Sequence, residues 1–309
     1  MTSEQFAGES LQQLVDRNPR DILGTVPLRR PSHRFPLLTK FIDARQPLSV
    51  QVHPNDAEAQ RLEGQPNGKT EAWHIIEATP DAWIIHGMSQ AIEPETFRER
   101  LEAGTADDLL RKVPAVAGET IFVPARTVHA IGPGVLLHEI QQTSDVTYRL
   151  YDWNRQSQGS KRQLHLDKGL KVAWLKPSPP PVVRPVSWIE NDVVVSCILA
   201  TEYFTVKRVI LPGKIDLDTG GKSFHIITVI EGSCAIHSQS EATELSVGQS
   251  AVLPACLGRY TLGSQKSATV LIEFVADISV DLVPELLAYE IPSDEVNGFL
   301  AQFTPIPAA

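Results

Sequence analysis

Residues 176–185 read KPSPPPVVRP, with prolines at five of ten positions. Proline fixes φ and carries no amide hydrogen, so neither a regular helix nor a central strand runs through such a block. The chain is therefore expected to fold as two halves joined by a linker near residues 175–186, one domain over 1–175 and a second over 187–309. Both halves share one texture. Short runs of strand formers follow one another: FPLLTKFI, PLSVQVH, EAWHIIE, AWIIHG, ETIFVPA and VLLHEIQQ before the block, and DVVVSCILA, YFTVKRVIL, FHIITVIEG, SAVLPA and ATVLIEFVA after it. Runs of that length, separated by turn residues, suggest a β-sandwich or barrel. Helical signals are few. ESLQQLVDR has amphipathic spacing and stops at Asn18-Pro19, and Glu93-Pro94 opens a second helix with proline at its first position. Thr105 followed by Asp108 reads as the cap of a short helix over ADDLLRK, and LDKGLKVAWL gives a further one.

The halves also repeat one another. Gly118-ETIFV-Pro124 and Gly248-QSAVL-Pro254 share their Gly-to-Pro spacing, and the strand ending Ile76-Glu77 has a counterpart ending Ile230-Glu231. Two signals in the same order favour duplication over chance. A net charge of −9 leaves no basic surface for nucleic acid, although a few local cations suffice to hold one small anion. No apolar run approaches the roughly 18 residues of a membrane helix, and MTSEQFAGES has neither the basic nor the apolar region of a secretory signal. Cys197, Cys234 and Cys256 are odd in number and lack CxxC spacing, as expected of reduced thiols in the cytoplasm.

Chemistry concentrates in the first half. In SVQVHPND, alternation along a strand puts Ser49, Gln51 and His53 on one face and Val50 and Val52 on the other. Lys69 and Glu71 of GKTEAW share a face in the same way, and His129 follows Pro124 by five residues in the turn after a strand. Each has a plainer explanation taken singly: an exposed edge strand, a surface Lys/Glu pair, a structural histidine. Together, one amide oxygen, two imidazoles and one carboxylate make a mixed nitrogen and oxygen set suited to Zn²⁺ or a similar divalent ion. A single anionic ligand leaves the ion with residual positive charge, as a Lewis acid requires. In the second half Arg259 stands five residues after Pro254, where the histidine would be, so that barrel is expected to be free of metal.

The ordered motifs FPLLTKFIDARQPLSVQVHPND, GKTEAWHII, FVPARTVHAIGPG and LLHEIQQTSDVTYRLYDWNR resemble the type I phosphomannose isomerases, in particular their short bacterial branch, strongly over about residues 35–175 and weakly beyond. The resemblance implies two cupin-like jelly-roll barrels and one Zn²⁺ per chain, held by Gln51, His53, Glu71 and His129. It implies interconversion of mannose-6-phosphate and fructose-6-phosphate through an enediol, with the family's active-site lysine, glutamate and arginine falling on Lys69, Glu139 and Arg149. Arg126 and Arg155 are further phosphate candidates. The expected partner is a small sugar phosphate, with no nucleic acid and no membrane. The chain departs from the family in beginning after a segment that usually carries a Trp-Gly-Gly stretch, and in a longer tail past Phe274. Rival expectations are a sugar-phosphate-binding cupin without turnover and an Fe²⁺-dependent cupin oxygenase.

Overall fold

The computed structural model describes residues 8–29, 34–157, 160–238 and 241–307. The chain divides into two compact units, one of Leu37–Val183 with the last residues from Thr304, the other of the segment up to Pro36 with Arg184–Phe303.

The first unit is built from β1 (Leu37–Ala44), β2 (Val50–Val52), β3 (Glu71–Ala78), β4 (Trp83–Met88), β5 (Leu110–Pro114), β6 (Thr120–Val123), β7 (His129–Ile131), β8 (Val135–Gln142) and β9 (Tyr148–Tyr151). A two-stranded hairpin, β10 (Gln156–Ser157) with β11 (Ser160–Lys161), follows them. The strands form one sheet in the order β1-β8-β3-β6 and another in the order β5-β4-β7-β2-β9. Trp73, Ile75, Ile84, Ile121, Ile131 and Leu137 of both sheets share one core, which therefore lies between them. Val50, Val52, Ile85, Ala130, Tyr148 and Leu150 belong instead to a second core on the outer face of the five-stranded sheet. Helices α4 (Pro94–Glu102) and α5 (Leu166–Val172) contribute Phe97, Leu101, Leu170 and Val172 to that outer core. Alternation then decides what points inward. Between outward Val50 and Val52 lies Gln51, between Tyr148 and Leu150 lies Arg149, and one residue before Ala130 lies His129.

One local expectation fails. ADDLLRK supplies only one turn of 3₁₀ helix, Asp107–Leu109, before Leu110 enters β5 and pairs with β4. With two adjacent leucines and no helical apolar stripe, pairing with a waiting sheet edge outweighs weak helix propensity. The proline-rich block contains the boundary between the two units, at Val183/Arg184, and is also more than a bare tether. Its carbonyls substitute for the amides it lacks: Pro181 O accepts from Phe122 N at 3.0 Å, and the Arg111 guanidinium donates to Ser178 O and Pro179 O at 2.7 Å. Val183 N returns a bond to Thr120 O at 2.8 Å, so the block lies along β6 as an irregular edge strand. Helix α3 (Asp56–Glu63), closed by an Asn55/Glu58 capping box, was not foreseen.

In the second unit, α1 (Leu11–Arg17) and α2 (Pro19–Leu23) sit on the unit formed by the later half, stitched by Val26 N to Lys222 O at 2.9 Å and Phe224 N to Leu23 O at 3.2 Å. Its sheet runs β12 (Val186–Glu190), β13 (Val193–Ala200), β14 (Thr205–Leu211), β20 (Ala268–Phe274), β16 (His225–Ser238), β19 (Arg259–Gly263), β15 (Lys214–Asp218). β17 (Glu241–Ser246) and β18 (Ser250–Leu253) pair with the 14-residue β16, which bends to serve both sides of the curl. Helices α6 (Val283–Ala288) and α7 (Ser293–Ala301) complete it. The fold is mainly β, two curled barrels with short helices. The repeat is structural. Gly118 N donates to Ile75 O at 2.8 Å while Ile75 N donates to Glu119 O, and Gly248 N and Val229 N do the same with Val229 O (2.9 Å) and Gln249 O, with both glycines in the left-handed region at φ 87° and 82°. Each strand has its register shift at the same place, Ile75/Glu77 and Val229/Glu231.

Glu273 of β20 is fully buried, and burial holds its pKa well above the ordinary 4.5. A folded state that keeps this proton while the unfolded chain releases it loses stability as pH rises above about 4.5. Glu273→Gln keeps the shape and removes the titration. Thermal unfolding at pH 8 is expected to show the variant more stable by at least about 1 kcal/mol, with the gap closing toward pH 4; an equal gap at both pH values would remove Glu273 from the account.

Candidate metal centre

His53, Glu71 and His129 come together inside the first barrel, with one donor atom from each within 4.8 Å of the others. β3 begins at Glu71 and β7 at His129, while His53 leaves the end of β2. All three are at most 1% exposed. The Nδ1–H of His53 donates to Val146 O at 3.0 Å and that of His129 to Thr127 O at 2.8 Å. A carbonyl can only accept, so these bonds fix the tautomer and leave Nε2 of each neutral ring with its lone pair facing the centre. Burial, with the nearby Lys69 ammonium, lowers both histidines, His129 to about 4. The rings therefore stay neutral and ready to ligate.

The geometry is that of donors waiting on a cation. His129 Nε2 and Glu71 Oε1 face one another at 3.3 Å, and neither has a hydrogen-bond partner among the described residues. Two buried acceptors at that separation repel unless a positive charge lies between them. His53 Nε2 lies 3.5 Å from Glu71 Oε2. Donors about 2.0–2.1 Å from one tetrahedral ion stand about 3.3–3.4 Å apart, close to each imidazole–carboxylate separation, with the two imidazoles facing different oxygens of Glu71. Gln51 pairs directly with His129 across β2 and β7 and shares the inner face, beside the three. Its register partner on the other side is Arg149.

A ring of charge surrounds the donors. Lys69 Nζ is 2.7 Å from Glu71 Oε2 and 3.2 Å from His53 Nε2. Burial alone would lower Lys69, but Glu71 and Glu139 outweigh it and raise its pKa, so it is an ammonium. Glu139 is 3% exposed and raised, first by burial and then by the charge of Glu71. Trp73 Nε1 donates to its Oε2 at 3.0 Å, and Lys40 Nζ lies 2.6 Å from its Oε1. Arg149 is set apart from this cluster. Its Nε donates to Ser49 Oγ at 3.3 Å and Nη1 to Gln163 O at 3.1 Å, and burial with Arg162 lowers its pKa.

Arg126 and Arg155 are already engaged. Arg126 is 1% exposed and donates to the carbonyls of Val172 and Pro307, and Arg155 donates to Pro47 O and Asp152. The sequence reading missed Lys40 and Trp73, which meet Glu139 only through register: Lys40 opposes Glu139 across β1 and β8, and Trp73 opposes it across β3 and β8. A lysine amid FPLLTKFI was the available signal. In the second unit, His225 Nδ1 and Tyr260 Oη bond at 2.7 Å, and Arg259 is exposed.

His129→Ala removes one imidazole and leaves the buried pairs of β7 in place. After loading with Zn²⁺ and dialysis, elemental analysis is expected to show about one ion per chain in the parent and at least tenfold lower occupancy in the variant. Parent-level metal in the variant would take His129 off the ligand set.

Comparison with known proteins identifies the family. Residues 1–74 match the family model described as phosphomannose isomerase type I, catalytic domain, and residues 196–272 that described as mannose-6-phosphate isomerase, cupin domain. The chain is 42% identical over 230 residues to mannose-6-phosphate isomerase ManA of Bacillus subtilis (strain 168), covering 74% of this chain and 72% of the relative. It is 39% identical over 223 residues to mannose-6-phosphate isomerase of Streptococcus mutans, covering 71% and 68%. The crystal structure of the mannose 6-phosphate isomerase from Bacillus subtilis superposes with a TM-score of 0.77 at 32% identity, over 86% of this chain and 82% of that one. A variant of the phosphomannose isomerase from Salmonella typhimurium shares the fold at TM-score 0.65 and 17% identity, over 86% and 85%. A buried two-histidine, one-glutamate site in a duplicated β-barrel and relatives of this extent lead to one conclusion: the chain belongs to the type I mannose-6-phosphate isomerase family.

Proposed function

We propose that this chain interconverts mannose-6-phosphate and fructose-6-phosphate, and that the ion at its centre is Zn²⁺, one per chain. The observation that carries the reading is the set of buried groups facing one interior: two neutral imidazoles and a carboxylate, with a raised glutamate and an ammonium beside them.

The reaction takes the C2 proton of the aldose, leaves an enediol, and returns a proton to C1 while the O2 hydroxyl proton passes to O1. Glu139 suits the proton transfer. A carboxylate whose pKa is raised toward neutrality both accepts a proton from carbon and gives it back. Trp73 and Lys40 fix its two oxygens, so its orientation is set before substrate arrives. The Lys69 ammonium offers a hydrogen-bond donor to an oxygen that gains negative charge as the carbon proton leaves. His53, Glu71 and His129, with Gln51 as fourth ligand, would hold a divalent ion, which would supply Lewis-acid stabilisation of that same charge. Arg149 shares the inner face but not the ligand cluster, and its planar guanidinium suits an enediolate oxygen or the phosphate.

No helix among the described residues is long and apolar enough to cross a membrane. The free cysteines Cys197 and Cys234 are buried with pKa pushed up to about 12 and about 11, inert thiols that suit a reducing cytoplasm.

The test is turnover of mannose-6-phosphate by the metal-loaded chain and its variants. Glu139→Gln is expected to lower kcat by about 10²–10⁴. Arg149→Ala should lower it by about 10²–10³, with Arg149→Lys intermediate, and none of the three should change metal content. Parent-level kcat in Glu139→Gln would remove its role in proton transfer. If metal were lost with Arg149→Ala, that residue would belong to the ligand cluster.

A further inference from the structure

The second unit holds a cavity of about 370 Å³, within the range that encloses small organic ligands. Register shows which place in the barrel it occupies. The row Lys40–Glu139–Trp73 across β1, β8 and β3 has its counterpart in Lys207–Ile272–Ile227 across β14, β20 and β16. His225 opens β16 and pairs with Leu253 as Glu71 opens β3 and pairs with Val123. Lys207, Ile272 and His225 all line the cavity. The second barrel therefore keeps an opening where the first places its ion and its proton-moving glutamate, but isoleucine replaces that glutamate and histidine replaces the ligand carboxylate.

What lines the opening has its own chemistry. Trp188, only 8% exposed, stacks on Tyr289 with centroids 4.8 Å apart and planes at 21°, and the tyrosine hydroxyl is the acceptor nearest its indole N–H. Around this aromatic wall stand carboxylate acceptors. Glu190, half-buried, accepts from Tyr289 Oη at 2.6 Å, which leaves it further lone pairs, while Asp216 is exposed and bonds Thr261 Oγ1 at 2.6 Å. The cations are taken up internally: Lys207 pairs with Glu285 and lies over the rings of Trp188 and Phe274 at 5.6 and 5.3 Å, and Lys222 pairs with Asp281 at 2.7 Å. Lining carboxylates outnumber lining lysines, which disfavours a phosphate. Lys207 already fills the cation position over the rings, which disfavours an organic cation.

We propose that this cavity is a second small-molecule site, and that it takes a neutral, hydroxyl-rich ring compound of monosaccharide size. Apolar ring faces lie against Ile272 and the edge of the stacked Trp188, while ligand hydroxyls donate to the free lone pairs of Glu190. The site stands on the second barrel alone and is independent of the reaction assigned to the first.

Isothermal titration calorimetry of the full-length, metal-loaded chain tests it, with D-mannose and myo-inositol as neutral probes and inorganic phosphate and tetramethylammonium as charged ones. At least one neutral probe is expected to bind once per chain. Glu139→Gln should leave that binding unchanged. Trp188→Ala should weaken it at least tenfold, and Glu190→Gln, which preserves shape should the tryptophan variant not fold, by about tenfold. The proposal is overturned if neither neutral probe binds, if a charged probe binds more tightly than both, or if binding is lost in Glu139→Gln and kept in Glu190→Gln.

Discussion

A carboxylate removed from water is the interaction on which the first barrel turns. Glu71 is wholly buried, and an ionised group in such a place is unfavourable by several kcal/mol unless positive charge is supplied. The fold supplies it from several directions. Lys69, two residues earlier, returns its ammonium to one oxygen, and the lone pairs of His53 and His129 define the place for a cation at the carboxylate. Everything else follows from seating that group. Trp73 is the next inward residue of β3, so its N–H reaches Glu139 on β8, and Glu139 is raised in turn by the charge of Glu71. A substrate entering this interior meets a preorganised set of charges in place of water, which is what stabilises a developing oxyanion.

The two barrels share a frame and differ in what fills it. Identical turn bonds at Gly118 and Gly248 and register shifts at matching positions show one strand plan used twice. Inward positions are few, and changing them changes chemistry without touching the ladder. Glutamate at the head of β3 completes a three-residue set suited to an ion; histidine at the head of β16, tied to Tyr260, gives a polar wall. Function here lives in the side chains placed on the frame and not in the frame itself.

Much of this was legible in the chain because strand alternation is a local rule. Val50 and Val52 announced which way Gln51 and His53 would face, and Tyr148 and Leu150 did the same for Arg149. The roles of Glu139 and Arg149 came through resemblance and not from spacing. Lys40 stayed hidden because its meaning lies in a partner 99 positions away in β8, and register across strands is a tertiary property. The proline block marked the boundary between units but hid its own bonding for a related reason. Its lack of amide donors was plain, but that its carbonyls would accept from Phe122 and Arg111 depends on a neighbouring edge. Residues 11–23 likewise gave a helix but were expected in the first domain, whereas the segment up to Pro36 groups with the later half, with bonds from Val26 to Lys222 and from Phe224 to Leu23.

X-ray absorption at the K-edge of the bound ion reads the central claim without relying on turnover. For the zinc-loaded chain the account predicts two imidazole ligands per ion among nitrogen and oxygen donors at about 2.0–2.2 Å, with no sulfur. A sulfur shell near 2.3 Å, or a site with no imidazole scattering, would show that the ion is not held by His53, Glu71 and His129.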